Sequence, residues 1–421
     1  MPTAATRQAE TAARGRAVHA GRYPLSTVAI IGTGLLGCGI AKVVVRCGYP
    51  VVLHDSSTKT LAGAEADVAE AAFGTGASVR SEPDLARAMG AADLIIEAVI
   101  EDLPLKQRLF ERMGASNPDA VLMSNSSVLP IGQIAARTSR PERAVGAHWW
   151  NPPHLIPVVE IIRGPQTSEA VMERACRFVR SLGKTPVRVE RDVPGFVGNR
   201  LQHALWREAL ALASHDAHAP EAIDRIVGAT LGQSLARRGP FAEMNRTGLV
   251  RVAREFAKTL PLINSEPKPA SRLREKVSQG QLGAKSGQGF LTWPAGSRER
   301  AAKKLTEHVE RRVQGVQEKE EPAAPPKLST AEAVLASRLR IALWREALAI
   351  VEGGVCDAQT VDFIATNTIG LRLAAMGPIE NADYVGLDLT LAIHEALLPS
   401  LSSDLDVPPR LVRAVQSGMP V

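Results

Sequence analysis

Two residues bound the chemistry open to this chain: His148 and, twelve residues later, Glu160. His148 sits in Gly146-Ala147-His148-Trp149-Trp150-Asn151-Pro152-Pro153, a segment that begins where the C-terminal edge of a sheet is expected. Glu160 interrupts the apolar run Ile156-Pro157-Val158-Val159-Glu160-Ile161-Ile162. A carboxylate in such a run is costly unless it is paired. A histidine with a buried carboxylate partner is a positioned general base. The plainer alternative is a structural histidine and a glutamate that caps a loop.

The second feature is the turn Gly32-Thr33-Gly34-Leu35-Leu36-Gly37. Gly-x-Gly-x-x-Gly alone is weak, but here it lies between the strand-like Thr27-Val28-Ala29-Ile30-Ile31 and an apolar helix running through Val45. Gly32 permits the tight turn, Gly34 lets backbone approach a pyrophosphate, and Gly37 lets helix pack on strand. With Leu35 and Leu36 they present a helix N-terminus to phosphate. Asp55 follows Gly37 by 18 residues, at the end of the next strand. A carboxylate there accepts a ribose 2′-hydroxyl and repels a 2′-phosphate, so NAD is expected rather than NADP. A packing turn and a flavin site are the alternatives.

These residues need elements to hold them. Val51-Val52-Leu53, Asp93-Leu94-Ile95-Ile96 and Ala120-Val121-Leu122-Met123 read as further strands alternating with helices, which implies a parallel sheet covered by helices. One helix, from about Thr58 to Phe73, fits between Asp55 and Asp93. From Gly195 onward the pattern is helical and contains a repeat. Ala204-Leu205-Trp206-Arg207-Glu208-Ala209-Leu210-Ala211-Leu212 returns as Ala342-Leu343-Trp344-Arg345-Glu346-Ala347-Leu348-Ala349-Ile350, an offset of 138 residues. The same offset relates Asp224 to Asp362, Gly232 to Gly370, Gly239-Pro240 to Gly377-Pro378, Gly248-Leu249 to Gly386-Leu387 and Gly280 to Gly418. Residues 195–290 and 333–421 therefore read as two copies of one helical domain. The charged stretch between them starts as a candidate exposed helix and ends in the proline-rich Glu318–Pro326.

The chain has 421 residues, 45% hydrophobic and 22% charged, which requires two or three domains of an ordinary globular protein. The formal charge of +6 is scattered, without aromatic interleaving, so no nucleic-acid partner is expected. Cys38, Cys47, Cys176 and Cys356 form no CxxC pair, which points to a reducing, cytoplasmic setting and no structural metal. No apolar run is long enough for a membrane span. Residues 1–25 carry four arginines and one acid, and read as a disordered extension or a transit peptide.

The order of motifs resembles the 3-hydroxyacyl-CoA dehydrogenase family. That family carries Ser-Asn-Thr-Ser-Ser, then His-Phe-Phe-Asn-Pro, then a glutamate twelve residues past the histidine; this chain has Ser124-Asn125-Ser126-Ser127, His148-Trp149-Trp150-Asn151-Pro152 and Glu160. The family's Gly-Phe-x-x-Asn-Arg is matched by Gly195-Phe196-Val197-Gly198-Asn199-Arg200, and its Lys-Ser-Gly-x-Gly-Phe by Lys285–Phe290. Glu97-Ala98-Val99-Ile100-Glu101, followed by Lys106, matches an acidic cofactor-side motif. The resemblance implies an α/β protein: a Rossmann-type doubly wound NAD-binding domain at 26–193, then two tandem all-α domains of the family's C-terminal type at 194–296 and 331–421, joined by a linker at 297–330. It implies NAD-dependent interconversion of a 3-hydroxyacyl group and its 3-keto form. His148 would be the base, Glu160 its orienting partner, and Ser127 and Asn199 hydrogen-bond donors to the substrate oxygen. Glu101, Lys106 and Asn125 would stand on the cofactor side.

Three departures qualify this expectation. The span from Asp55 to Asp93 is too short for the family's usual CoA-binding arm. Trp149-Trp150 replaces the aromatic pair, as in relatives acting on small polar hydroxy compounds such as carnitine, gulonate or a pyridine alcohol. His154 has no assigned role, and Lys184 does not fit a lysine-dependent site. The second copy has Ser337 in place of Asn199 and no counterpart of Lys285–Phe290 before Val421. It is expected to cover, within one chain, the surface through which single-copy relatives dimerise, giving a monomer or a homodimer through another face. A small-molecule substrate, acyl-CoA or hydroxy acid, is the expected partner. A catalytically retired structural relative is the alternative of another class.

Overall fold

The computed structural model describes residues 27–90, 92–214, 219–230, 239–303, 307, 329–368 and 376–419. The expected N-terminal extension, Gly232, Gly370 and most of the charged linker lie outside these residues. The chain divides into two compact units, Met1–Asp192 and Val193–Val421.

The first unit is built on one sheet of eight strands in the order β3-β2-β1-β4-β5-β6-β7-β8. Strand β1 is Val28–Ile31, β2 Val51–His54, β3 Val79–Ser81, β4 Leu94–Glu97, β5 Val121–Ser124, β6 Ala144–Trp149, β7 Val158–Ile162 and β8 Thr185–Val189. All neighbours are parallel except β6 and β7. Strands β1, β2, β4, β5, β6 and β7 are buried throughout, as parallel strands covered on both faces must be. The helices are α1 (Leu35–Arg46), α2 (Thr58–Ala72), α3 (Leu85–Gly90), α4 (Leu103–Ser116), α5 (Ile131–Ile134) and α6 (Glu169–Ser181). Strand order reverses between β1 and β4, and the carboxyl ends of strands at such a point flank the crevice where ligands bind in open α/β sheets.

The span from Asp55 to Asp93 holds more than one helix: β3 and α3 follow α2. Strand β3 has three partly exposed residues and α3 has six, too few for either to show a period.

The second unit carries α7 (Gly198–Ser214), α8 (Pro220–Thr230), α9 (Pro240–Thr247), α10 (Leu249–Thr259) and α11 (Ser271–Ser278), then a helical stretch at 297–303 inside the expected linker. It continues with α12 (Thr330–Glu352), α13 (Ala358–Asn367), α14 (Pro378–Val385), α15 (Leu387–Leu397) and α16 (Pro409–Ser417). The 138-residue offset carries α10 onto α15 end for end. Gly248 and Gly386 start these two helices at φ 95° and 113°, a region that favours glycine. The copies interlock. Helix α12 packs on α7, α16 on α10, and α11 on α15. One hydrophobic core joins Ala204, Leu210 and Phe256 of the first copy to Leu335, Leu339 and Leu411 of the second.

Candidate active site

The twelve-residue spacing of His148 and Glu160 is a strand register. β6 and β7 run antiparallel with His148 opposite Glu160, so both side chains emerge on one face. His148 Nδ1 lies 2.6 Å from Glu160 Oε2, with His148 only 4% exposed and Glu160 fully buried. An ionised carboxylate only accepts, so Nδ1 carries the hydrogen and donates it. The Nε2 lone pair is then set as the proton acceptor. The sequence placed His148 at the sheet's edge; it is the fifth residue of β6 itself.

Asn125, just beyond β5, holds the adjacent backbone: its Oδ1 accepts from Trp149 N at 2.9 Å. The Trp150 ring lies 5.0 Å from the His148 ring, tilted by 56°. The indole N–H groups of Trp149 and Trp150 are buried and have no hydrogen-bond partner among the described residues. Such orphan donors are costly unless a ligand or water supplies an acceptor.

The acidic motif forms a buried ion cluster. Lys106 Nζ donates to Glu97 Oε1 at 2.6 Å and lies 3.3 Å from Glu101 Oε2. Glu97 also accepts from Ser124 Oγ at 2.7 Å and Val99 N at 2.8 Å. Glu101 Oε1 accepts from Ser126 Oγ and from the backbone N–H groups of Ser127, Val128 and Leu129. Burial pushes the Glu101 carboxyl up, but Lys106 and these donated bonds outweigh it and hold it below the usual range. Burial would lower the Lys106 pKa; its two carboxylates reverse that and raise it. Lys106 is therefore a fixed cation committed to Glu97 and Glu101, and Glu101 pins the turn that presents Ser127. The sequence named Glu101, Lys106, Asn125 and Ser127 but gave Glu97 no role. Its position at the end of a fully apolar strand was the available signal.

The glycine turn has the geometry its residue types require. Gly32 adopts φ 96°, and a Cβ there would come within 2.9 Å of the Ala98 carbonyl and Val99 N. A Cβ on Gly37 would overlap the Gly32 carbonyl oxygen, whereas one on Gly34 would meet nothing. Gly34 thus faces open space ahead of α1, where Leu35 is exposed, and a pyrophosphate fits there. Asp55 accepts from Thr33 N and Thr33 Oγ1 through Oδ2 and from Ser57 N through Oδ1. Burial pushes its carboxyl up, but these bonds and His54 prevail and keep it low and ionised. Oδ1, which accepts one bond, retains capacity for a ribose hydroxyl. Turn and acid fit NAD.

Asn199 belongs to the other unit. It lies in the first turn of α7, 7% exposed, behind a turn in which Gly195 has φ 76° and Phe196 φ 48°. Phe196 is fully buried in the left-handed region, a conformation costing a non-glycine residue about 1–2 kcal/mol that its surroundings must hold.

The family model described as 3-hydroxyacyl-CoA dehydrogenase, NAD binding domain matches residues 27–193. The one described as 3-hydroxyacyl-CoA dehydrogenase, C-terminal domain matches twice, at 195–293 and 335–419. The chain belongs to the 3-hydroxyacyl-CoA dehydrogenase family. It is an NAD-dependent oxidoreductase acting on a CH–OH group, interconverting a 3-hydroxyacyl group and its 3-keto form. A 5-formyl-3-hydroxy-2-methylpyridine 4-carboxylate 5-dehydrogenase of Mesorhizobium japonicum is 34% identical over 64% of this chain and 91% of that protein. A probable 3-hydroxybutyryl-CoA dehydrogenase of Deinococcus radiodurans is 32% identical over 63% of this chain and 99% of its own. The crystal structure of a 3-hydroxybutyryl-CoA dehydrogenase of Escherichia coli K12 is similar with a TM-score of 0.66 at 23% identity, covering 94% of this chain and all of that one, a likeness of fold. No described helix is long and apolar enough to cross a membrane.

Proposed function

We propose that His148 is the general base of a 3-hydroxyacyl-CoA dehydrogenase, and that the carrying observation is its buried 2.6 Å contact with Glu160. Glu160 fixes the tautomer and stabilises the imidazolium that forms when Nε2 takes the proton of the 3-hydroxyl. Bound NAD supplies the hydride acceptor for the same carbon. As the C–H and O–H bonds break, the C=O bond forms, and the donor nearest in sequence to the Glu101-pinned turn, Ser127, steadies the oxygen. Asn199 is assigned to that oxygen on the motif it shares with the family. Gly32, Gly34, Leu35, Leu36, Gly37 and Asp55 hold the cofactor. Glu101, Lys106 and Asn125 act on the cofactor side, Lys106 through Glu101.

The orphan indole N–H of Trp150, whose ring lies beside His148, favours a substrate that brings an acceptor, such as a thioester carbonyl or a carboxylate. The Deinococcus relative is named for a hydroxyacyl-CoA substrate and the Mesorhizobium relative for a pyridine carboxylate, so the deciding panel contains acetoacetyl-CoA with NADH, and carnitine, gulonate, simple 3-hydroxy acids and the formyl pyridine carboxylate with NAD. Turnover of acetoacetyl-CoA is expected. His148→Gln should keep NAD binding and lower kcat by about 10³-fold, within the range of general-base catalysis; an unchanged rate overturns the assignment.

We divide the chain into an extension at 1–25, the NAD-binding domain at 26–193, helical copies at 194–296 and 331–421, and a linker at 297–330. We place the protein in the cytoplasm, since its four cysteines form no disulfide. We assign it a monomer or a homodimer through a face other than α7, because the second copy already covers α7 of the first; a crosslink between the α7 helices of two chains overturns this.

A further inference from the structure

The 138-residue offset relates more than sequence. Arg200 Nε donates to Glu346 Oε1 at 2.6 Å, and Arg338 Nε donates to Glu208 Oε1 at 2.8 Å. Arg200 maps onto Arg338 and Glu208 onto Glu346, so these are one ion pair made twice across the junction of the copies. The surroundings repeat as well. Asn264 N donates to Glu346 at 2.7 Å and Ser402 N to Glu208 at 2.8 Å. Arg200 reaches the Leu262 carbonyl at 3.3 Å and Arg338 the Ser400 carbonyl at 2.6 Å. Glu346 and Glu208 are 0% and 1% exposed.

The two pairs differ in what they hold. Helix α7 begins at Gly198, so Arg200 lies in its first turn, directly after Asn199. Helix α12 begins at Thr330, so Arg338 lies about two turns inside it, after Ser337. A backbone two turns into a helix is fixed by its own ladder of hydrogen bonds; in the first turn of α7 Arg200 N instead reaches back to the Gly195 carbonyl at 3.3 Å, outside that ladder. That first turn also follows the left-handed pair Gly195-Phe196, a conformation that only its surroundings maintain. A Cβ on Gly195 would come within 2.8 Å of Thr259 Cγ2, so the entering chain has little room to shift.

We propose that Glu346 of the second helical copy is a positioning residue for Asn199 of the first, acting through Arg200. The second copy, which has no asparagine of its own at the matching place, thereby serves the reaction. It supplies the buried carboxylate that locks the first turn of α7. The inference rests on the assignment of Asn199 to the substrate oxygen. Loss of Glu346 leaves the Arg200 guanidinium buried with one carbonyl partner, and a buried cation so stranded moves toward water. Arg200 would carry the adjoining Asn199 backbone with it.

The mirror-image pair supplies the control. Glu346→Gln and Glu208→Gln remove matching buried carboxylates from the two pairs in the full-length protein, the partner arginine being 9% exposed in one and 25% in the other. Hydrogen exchange at residues 198–203 is expected to rise at least tenfold in Glu346→Gln, with no matching rise at 336–341 in Glu208→Gln. On the substrate that the wild type turns over, Glu346→Gln is expected to lower kcat at least tenfold with the KM for NAD within twofold. Glu208→Gln is expected to keep kcat within twofold. Equal exchange in the two variants, or equal kcat losses, would overturn the proposal. Asn199→Ala is measured alongside: an unchanged kcat in it removes the assignment of Asn199 and this inference with it, whereas a loss there with equal Glu346 and Glu208 variants removes the inference alone. If Glu346→Gln does not fold, Glu346→Asp carries the same comparison at full charge, with the same two readouts.

Discussion

The two helical copies share a sparse framework and differ at most other positions, and the contrast helps to separate structure from chemistry. In each copy an aspartate, Asp224 or Asp362, accepts two backbone N–H groups from the start of the following helix. In each, a glycine, Gly239 or Gly377, sits so close to that aspartate that a Cβ would overlap it. Each carries a buried tryptophan and a buried arginine in its first helix, Trp206 with Arg207 and Trp344 with Arg345. Among the many differences are Asn199 against Ser337, and Asn245 against Asp383. Asp383 accepts from Phe290 N, Leu291 N and Trp293 Nε1, so the end of the Lys285–Phe290 motif, at the C-terminal end of the first copy, is held by the second. Positions kept in both copies are those that any copy needs to fold. Among the positions that diverged, Asp383 serves a segment of the other copy.

The comparison is broken most directly at Asn199. Asn199→Ser gives the first copy the second copy's residue, and kcat should fall about 10²–10³-fold, the loss typical of one donor to a developing oxyanion. Ser337→Asn should leave kcat within twofold. Similar losses from both exchanges would show that the copies are not divided in this way.

The shared framework is sharpened by Gly239→Ala and Gly377→Ala. The new methyl overlaps Asp224 or Asp362 in each case, and each variant should lose about 2–3 kcal/mol in chemical denaturation, as overpacked positions do. Tolerance in one copy alone would mean that the aspartate–glycine contact is structural in the other copy only.

The smallest effect concerns pH. Burial pushes the Asp362 carboxyl up to about 8, against the bonds from Ile379 and Glu380, with Glu380 and Asp383 adding to the rise. Asp224 is raised too, also chiefly by burial. The folded protein holds the Asp362 proton more tightly than the unfolded chain, whose value is near 3.8. This contribution to stability is therefore complete below that value and is lost as pH rises through about 8. Asp362→Asn should lose about 1–2 kcal/mol outright by removing one acceptor. Its Tm should then fall between pH 5 and pH 8 less steeply than that of the wild type. A variant whose Tm parallels the wild type across this range would remove Asp362 as the source.

Much of this was legible in the residues. The glycine turn, Asp55 and the apolar strands announce a dinucleotide-binding sheet because each residue type answers a local backbone demand. The tandem copies were legible because an unbroken offset is a property of sequence. Strand β3 and helix α3 were not, since a three-residue edge strand and a six-residue helix are too short to show a period. Glu97 was named within its motif without a role. A carboxylate at the end of an apolar strand declares only that it needs a partner, and Lys106 and Ser124 reach it from elements that follow it.

The sequence by itself determined the cofactor turn, the order of the motifs and the repeat, because these depend on residue type and spacing along the chain. Only tertiary structure decided that twelve residues between His148 and Glu160 make an antiparallel register, since Asn151-Pro152-Pro153 marks a break but fixes neither the direction nor the register of the strand after it. It also decided that Arg200 is held by Glu346 rather than by an acid of its own copy. Ion pairing follows distance in space, and the offset that relates the copies does not say which copy supplies the partner.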